Sequence, residues 1–94
     1  MTSKDALIHR FLKFHSSNPS VLYNIIKISR SLKKRGIQKA RIAMVIEILR
    51  CIHALKARGD TLVINHDFNG LYAKLAMVDA PDLIGFFEIQ GKNK

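Results

Sequence analysis

Asn18-Pro19-Ser20-Val21-Leu22-Tyr23-Asn24-Ile25-Ile26-Lys27-Ile28-Ser29-Arg30-Ser31-Leu32-Lys33-Lys34-Arg35-Gly36 is the stretch that sets the fold class. Asn18 is a good N-cap residue. Pro19 suits a first helical turn, where its missing N–H has no partner to lose. Val21, Leu22, Ile25, Ile26, Ser29 and Leu32 recur at helical spacing and predict one buried stripe. Gly36 ends the pattern. Tyr23, Lys27, Arg30 and Lys34 follow at i, i+4, i+7 and i+11 on a separate face, and Lys33 and Arg35 extend its positive end. Cations in a last turn also complement the helix dipole, so part of this cluster has a purely structural explanation.

Upstream, Leu7, Ile8, Phe11, Leu12 and Phe14 predict a helix over 3–15 with Ser3 as its N-cap, and His9, Arg10 and Lys13 on the other side. Downstream, the richest apolar run predicts the longest helix, over 39–57 and ended by Gly59. There Ile42, Met44, Val45, Ile46, Ile48, Leu49, Cys51, Ile52 and Leu55 leave only a narrow seam of Ala43, Glu47, Arg50 and Ala54. A helix apolar nearly all round belongs in the middle of a protein. On that reading Cys51 is a core thiol. Glu47 and Arg50, three residues apart, form a structural pair. If that pair were fully buried, losing one partner would cost roughly 3–5 kcal/mol.

Thr61-Leu62-Val63-Ile64 reads as a short strand that pairs with residues 36–40 or forms a hairpin or wing. A helix over 68–78 follows, with Leu71, Tyr72, Leu75 and Ala76 inward. Pro81 then starts a final turn, from which Leu83, Ile84, Phe86 and Phe87 pack back before a frayed tail at about 90–94. The expectation is a single domain over 1–94, mainly α with a short β element. It is a compact four- to five-helix arrangement resembling a winged helix-turn-helix.

Charge is the most informative bulk property. The chain has 16 Lys and Arg against 7 Asp and Glu, a net charge of +9. The imbalance is concentrated in residues 1–58, with 13 basic and 2 acidic side chains; residues 59–94 hold 3 and 5. A split of this kind suits a polyanion on one face, although a solvated surface is the plainer alternative. With 48% hydrophobic residues the chain is unlike a disordered one. No apolar stretch approaches the ~20 residues of a membrane span, and the N-terminus lacks a continuous signal-peptide core. A single Cys excludes an internal disulfide and suits a cytoplasmic location.

Several short signatures resemble a group of phage- and prophage-encoded proteins of unassigned function. They are Phe14-His15 with Asn18-Pro19, Arg35-Gly36, Glu47 with Arg50, Ile64-Asn65, Tyr72-Ala73-Lys74-Leu75, and Pro81-Asp82-Leu83 with Phe86-Phe87-Glu88. The chain departs from that pattern at Cys51, at His66-Asp67 and at Lys74. The resemblance implies a phage or mobile-element origin and a helical domain with a short β element. It implies no catalytic residues.

Lys27, Arg30, Lys33, Lys34, Arg35, Lys39 and Arg41 are the candidate phosphate contacts, because such contacts require positive charge rather than exact geometry. Tyr23 either stacks on an unpaired base or is half-buried. Asn65, His66, Asn69 and Lys74 lie where a reading helix would meet DNA; the alternative for 65–70 is a simple turn and helix cap. Lys56 and Arg58 either join the same partner or cap a carbonyl end. The histidines and Cys51 lack metal-ligand spacing, and no nucleophile–base set or phosphate loop is present, so neither metal, cofactor nor enzymatic activity is expected. The expected partner is nucleic acid, DNA before RNA. Two rival readings are a phage-encoded inhibitor or adaptor docking on a host or defence protein, and a homodimer using Phe86 and Phe87 as an exposed patch.

Overall fold

Helix α2, Pro19–Lys34, forms where its apolar stripe and its proline require it. The computed structural model describes residues 3–56 and 62–88. Val21, Leu22, Ile25, Ile26 and Ser29 are buried along α2 and Leu32 is partly so, as their spacing predicts. Ser29 is tolerated in the core because its hydroxyl donates to the Ile25 carbonyl at 2.7 Å. Pro19 occupies the first turn. Asn18 does not cap α2 with its side chain; its Nδ2 turns back and donates to the Phe14 carbonyl, closing the preceding helix. Gly36 takes the left-handed conformation (φ 97°) that ends α2 and that other residues adopt at a cost.

Helix α1, Ser3–Ser17, precedes it, with Phe11 buried and Leu7 and Phe14 partly buried. Ile8 and Leu12 face outward, contrary to the expected stripe, because five apolar positions span a wider arc than the neighbouring elements can cover. After Gly36 the chain stays extended. Strand β1, Ala40–Arg41, pairs in parallel with β2, Phe87–Glu88, in the register Ala40 to Phe87. Ala40 N–H also bonds the Phe86 carbonyl at 3.0 Å. This pairing delays helix α3 to Ile42–Lys56, so Lys39 and Arg41 are not in a helical first turn as expected.

The 3-10 turn His66–Phe68 leads into helix α4, Asn69–Asp79, and a second 3-10 turn, Pro81–Leu83, leads to β2. Residues 62–65 form no strand. The strand expected over 61–64 is thus absent from its described part, and the edge of residue 40 is taken by β2 instead. The Gly59 stop, Thr61, Arg58 and the tail at 90–94 lie outside the described residues. The described structure is mainly helical with one small sheet, and none of its helices is long and apolar enough to cross a membrane.

The helix at the centre is α4, not α3. Tyr72 and Ala76 are fully buried, and Ala73 and the following Ala80 nearly so. The small side chains of Ala73 and Ala76 let α4 approach its neighbours closely, since interaxial distance depends on the residues at the contact. Tyr72 meets Phe11 edge-to-face at 4.7 Å between centroids and His15 at 6.1 Å, while Phe68 meets Phe11 at 5.5 Å. Such aromatic pairs add about 0.5–1.5 kcal/mol each beyond area burial.

Helix α3 buries only Val45, Ile46 and Leu49. Met44, Cys51, Ile52 and Leu55 are exposed, Leu55 at 82%. The expected all-round burial and the core thiol are therefore corrected: α2 and α4 cover one side of α3. Glu47 and Arg50 do pair, at 2.8 Å, but in solvent. Ile84 is exposed as well, whereas Phe86 and Phe87 are buried, which removes them as an exposed dimer patch.

These placements set two stability expectations. Arg50→Ala should change stability by less than about 1 kcal/mol in a thermal melt, the worth of an exposed pair. Tyr72 has a buried hydroxyl without a hydrogen-bond partner among the described residues. Tyr72→Phe should accordingly raise stability by about 1 kcal/mol at neutral pH. Burial pushes the Tyr72 phenol up to about 12. The unfolded chain ionises first, so stability is lost as pH rises from roughly 10 towards the folded value. Denaturant titrations across that window should show this loss in the wild type and a smaller one in Tyr72→Phe.

Candidate nucleic-acid interface

The candidate contacts divide between two faces of α4. Leu75 and Asp79, four residues apart, look towards α2. Asn69, Ala73 and Met77, with Gly70 and Lys74, look towards the β1–β2 pair. An open groove of about 1050 Å³ lies on the α2 side, and Lys27, Arg30, Lys33 and Lys34 all line it. Tyr23 stands in the same groove at 65% exposure, so it is not the half-buried core residue of the alternative reading. The i, i+4, i+7, i+11 spacing brought Tyr23, Lys27, Arg30 and Lys34 together because α2 is regular and its opposite stripe is fixed in the core.

The acidic side chains of this groove are Asp79, the last residue of α4, and Asp82, in the turn that follows it. Arg30 binds Asp82 through two bonds, Nε to Oδ2 at 3.1 Å and Nη2 to Oδ1 at 2.8 Å. Lys33 Nζ donates to the Asp82 carbonyl. The hydrogen bond from Arg30 holds the Asp82 carboxyl below its usual range and in return raises the guanidinium. Arg30 is thus a fastener between α2 and the Pro81–Leu83 turn. The sequence spacing of 52 residues hid this role. Four cations share the groove with the carboxylates of Asp79 and Asp82, leaving a net positive wall in which Lys27 and Lys34 form no ion pair among the described residues. His15 also lines the groove, and its buried Nδ1 has no hydrogen-bond partner among the described residues.

The remaining candidates lie elsewhere. Arg35 closes the end of α2 with backbone bonds to residues 31–33, and Lys39 is exposed on the segment leading to β1. Arg41 and Lys74 line a second pocket of about 310 Å³, between β1, the start of α3 and α4. Arg41 reaches Glu88 only at 4.0 Å. Asn65 is engaged in the turn: its Oδ1 accepts from Asp67 N–H at 3.0 Å, the turn-and-cap role rather than a free reading side chain. His66 is highly exposed beside Asp67. Lys56 sits in the last turn of α3, the position in which a cation complements the helix dipole. Among the described residues no group of three or more His, Cys, Asp or Glu could hold a metal ion. Comparison with protein-family models, curated proteins and solved structures finds no match.

The Arg30–Asp82 contact carries its own test. The Asp82 carboxyl followed by NMR should titrate below the ordinary carboxylate range, and Arg30→Gln should return it to that range. A depressed carboxyl contributes stability above its unfolded value that is lost as pH falls through its folded one. Acid should therefore release the Pro81–Leu83 turn from α2 in the wild type.

Proposed function

We propose that this protein is a small basic nucleic-acid-binding protein that grips phosphates along the α2 groove, DNA in preference to RNA, and catalyses no reaction. One observation carries the reading: a regular helix lines a groove of about 1050 Å³ with four cations while holding a largely exposed Tyr23 beside them. Phosphate contacts need positive charge along a track, and an exposed aromatic ring supplies a platform for an unpaired base. Lys27 and Lys34 carry the contact, because Arg30 and Lys33 are partly engaged by Asp82.

A finer form of the proposal borrows the winged-helix mode, with α4 as reading helix and His66 and Lys74 at its approach. Against it, the sheet among the described residues is a parallel pair between β1 and β2 rather than a hairpin wing. Phosphate gripping, which needs no wing, is the reading we retain. The resemblance to short phage proteins supports an origin in which such a protein acts in the host cytoplasm.

The exposed run Met44, Cys51, Ile52 and Leu55 on α3 favours a second reading, a phage-encoded adaptor or inhibitor that docks on a host or defence protein. Lys27→Gln with Lys34→Gln separates the two. Gln nearly preserves helix propensity and the Arg30–Asp82 fastener is untouched, so the fold should hold. Affinity for a random duplex should drop, and the log–log salt slope should flatten by about 0.9 for each phosphate no longer neutralised. Fluorescence anisotropy that shows no binding at low salt, or an unchanged slope in the folded double variant, refutes the α2 groove as the footprint.

A further inference from the structure

Arg30 stands between the two cations that carry the proposed contact, one helical turn from Lys27 and one from Lys34, and all three line the α2 groove. Along a regular helix Lys27 and Lys34 lie roughly 10 Å apart, so a polyanion that bridges them passes over Arg30. The guanidinium is already filled: its Nε and Nη2 each hold one oxygen of Asp82, at 3.1 and 2.8 Å. A fork of two N–H donors recognises a carboxylate and a phosphate in the same way. Both partners are half exposed, Arg30 at 54% and Asp82 at 48%. One anion can therefore replace the other in water, with no buried charge left unpaired. The turn that carries Asp82 is anchored without its carboxylate, by the fully buried Leu83 and by the Lys33 bond to the Asp82 carbonyl. Rotation of one short side chain is enough to free Arg30.

We propose that Arg30 is a masked phosphate site, in which the Asp82 carboxylate holds the place of a backbone phosphate until nucleic acid displaces it. The inference rests on the phosphate-gripping reading of the α2 groove and adds to it a contact that opens only on binding. Asp79 lines the same groove, yet both of these Arg30 hydrogen bonds go to Asp82. An exposed pair contributes little stability, so it yields to a competitor present at high local concentration. A phosphate whose neighbours are already held by Lys27 and Lys34 is such a competitor, because its arrival at Arg30 is intramolecular. A free anion lacks that advantage and leaves Asp82 in place. The mask thus favours a continuous run of phosphates over single anions.

Anisotropy titrations with a random duplex at low salt test the assignment. Asp82→Asn keeps the size of the side chain and removes the competing charge. It should tighten duplex binding by up to about fivefold, the worth of an exposed pair expressed as a ratio. Asp79→Asn makes the same change of charge in the same groove and should gain less. In an Arg30→Gln background, Asp82→Asn should gain no more than Asp79→Asn does. Equal gains from the two Asp variants, or an undiminished Asp82→Asn gain without Arg30, overturn the masked site and leave the groove reading intact. The wild type supplies a second measurement that needs no substitution. Nuclear Overhauser contacts between the Arg30 Nε–H and the Asp82 methylene should persist under millimolar inorganic phosphate and vanish when duplex saturates the groove. Their survival at saturation, or their loss to inorganic phosphate alone, overturns the proposal. Absence of duplex binding by both the wild type and Asp82→Asn refutes the groove reading, and the masked site falls with it.

Discussion

The burial of Tyr72 is the constraint on which the other contacts depend. Its ring is fully enclosed and touches Phe11, Phe14 and His15 from α1. One turn on, Ala76 is also sealed, and Ala73 lies beside them with 4% exposure. A large ring flanked by alanines lets α4 come close on several sides at once, so α1, α2 and α3 all pack towards it. Close packing of that kind is intolerant of volume change, and it fixes which faces of the other helices remain outside.

What α4 covers explains what α3 leaves bare. With one side of α3 against α2 and α4, its remaining apolar residues stay in solvent although their composition suits a core. The short β1–β2 pair completes the frame by tying the start of α3 to residues 87–88 near the end of the described chain. Two backbone residues per strand are too few for independent stability, and the pair stands because Ala40, Phe86 and Phe87 are buried beneath it.

The same frame distributes the charge. A chain this basic could have presented one continuous positive face, but α4 stands between two groups of cations. Those of α2 share an open groove with Asp79 and Asp82, while Arg41 and Lys74 look into an apolar pocket with Glu88. Asp82 engages Arg30 with its carboxylate and Lys33 with its carbonyl, which orients two of the four groove cations and restricts their freedom to meet a partner. Electrostatics here is therefore local, and net charge alone describes neither site.

Local sequence pattern was enough to define α2 and its consequences. Pro19, the stripe from Val21 to Leu32 and Gly36 set its limits, and the opposite spacing of Tyr23, Lys27, Arg30 and Lys34 set the lining of the groove. It also foresaw α4 with Tyr72 and Ala76 inward, since helical period is a local property. Packing between helices settled which one is central, because hydrophobic content favoured α3 while small side chains at the contact favoured α4. It alone decided the partner of residue 40, the exposure of Glu47 and Arg50, the engagement of Arg30 by Asp82 and the pocket joining Arg41 to Asn69 and Lys74. Each of these rests on how helices pack against one another, which the period of any single helix does not fix.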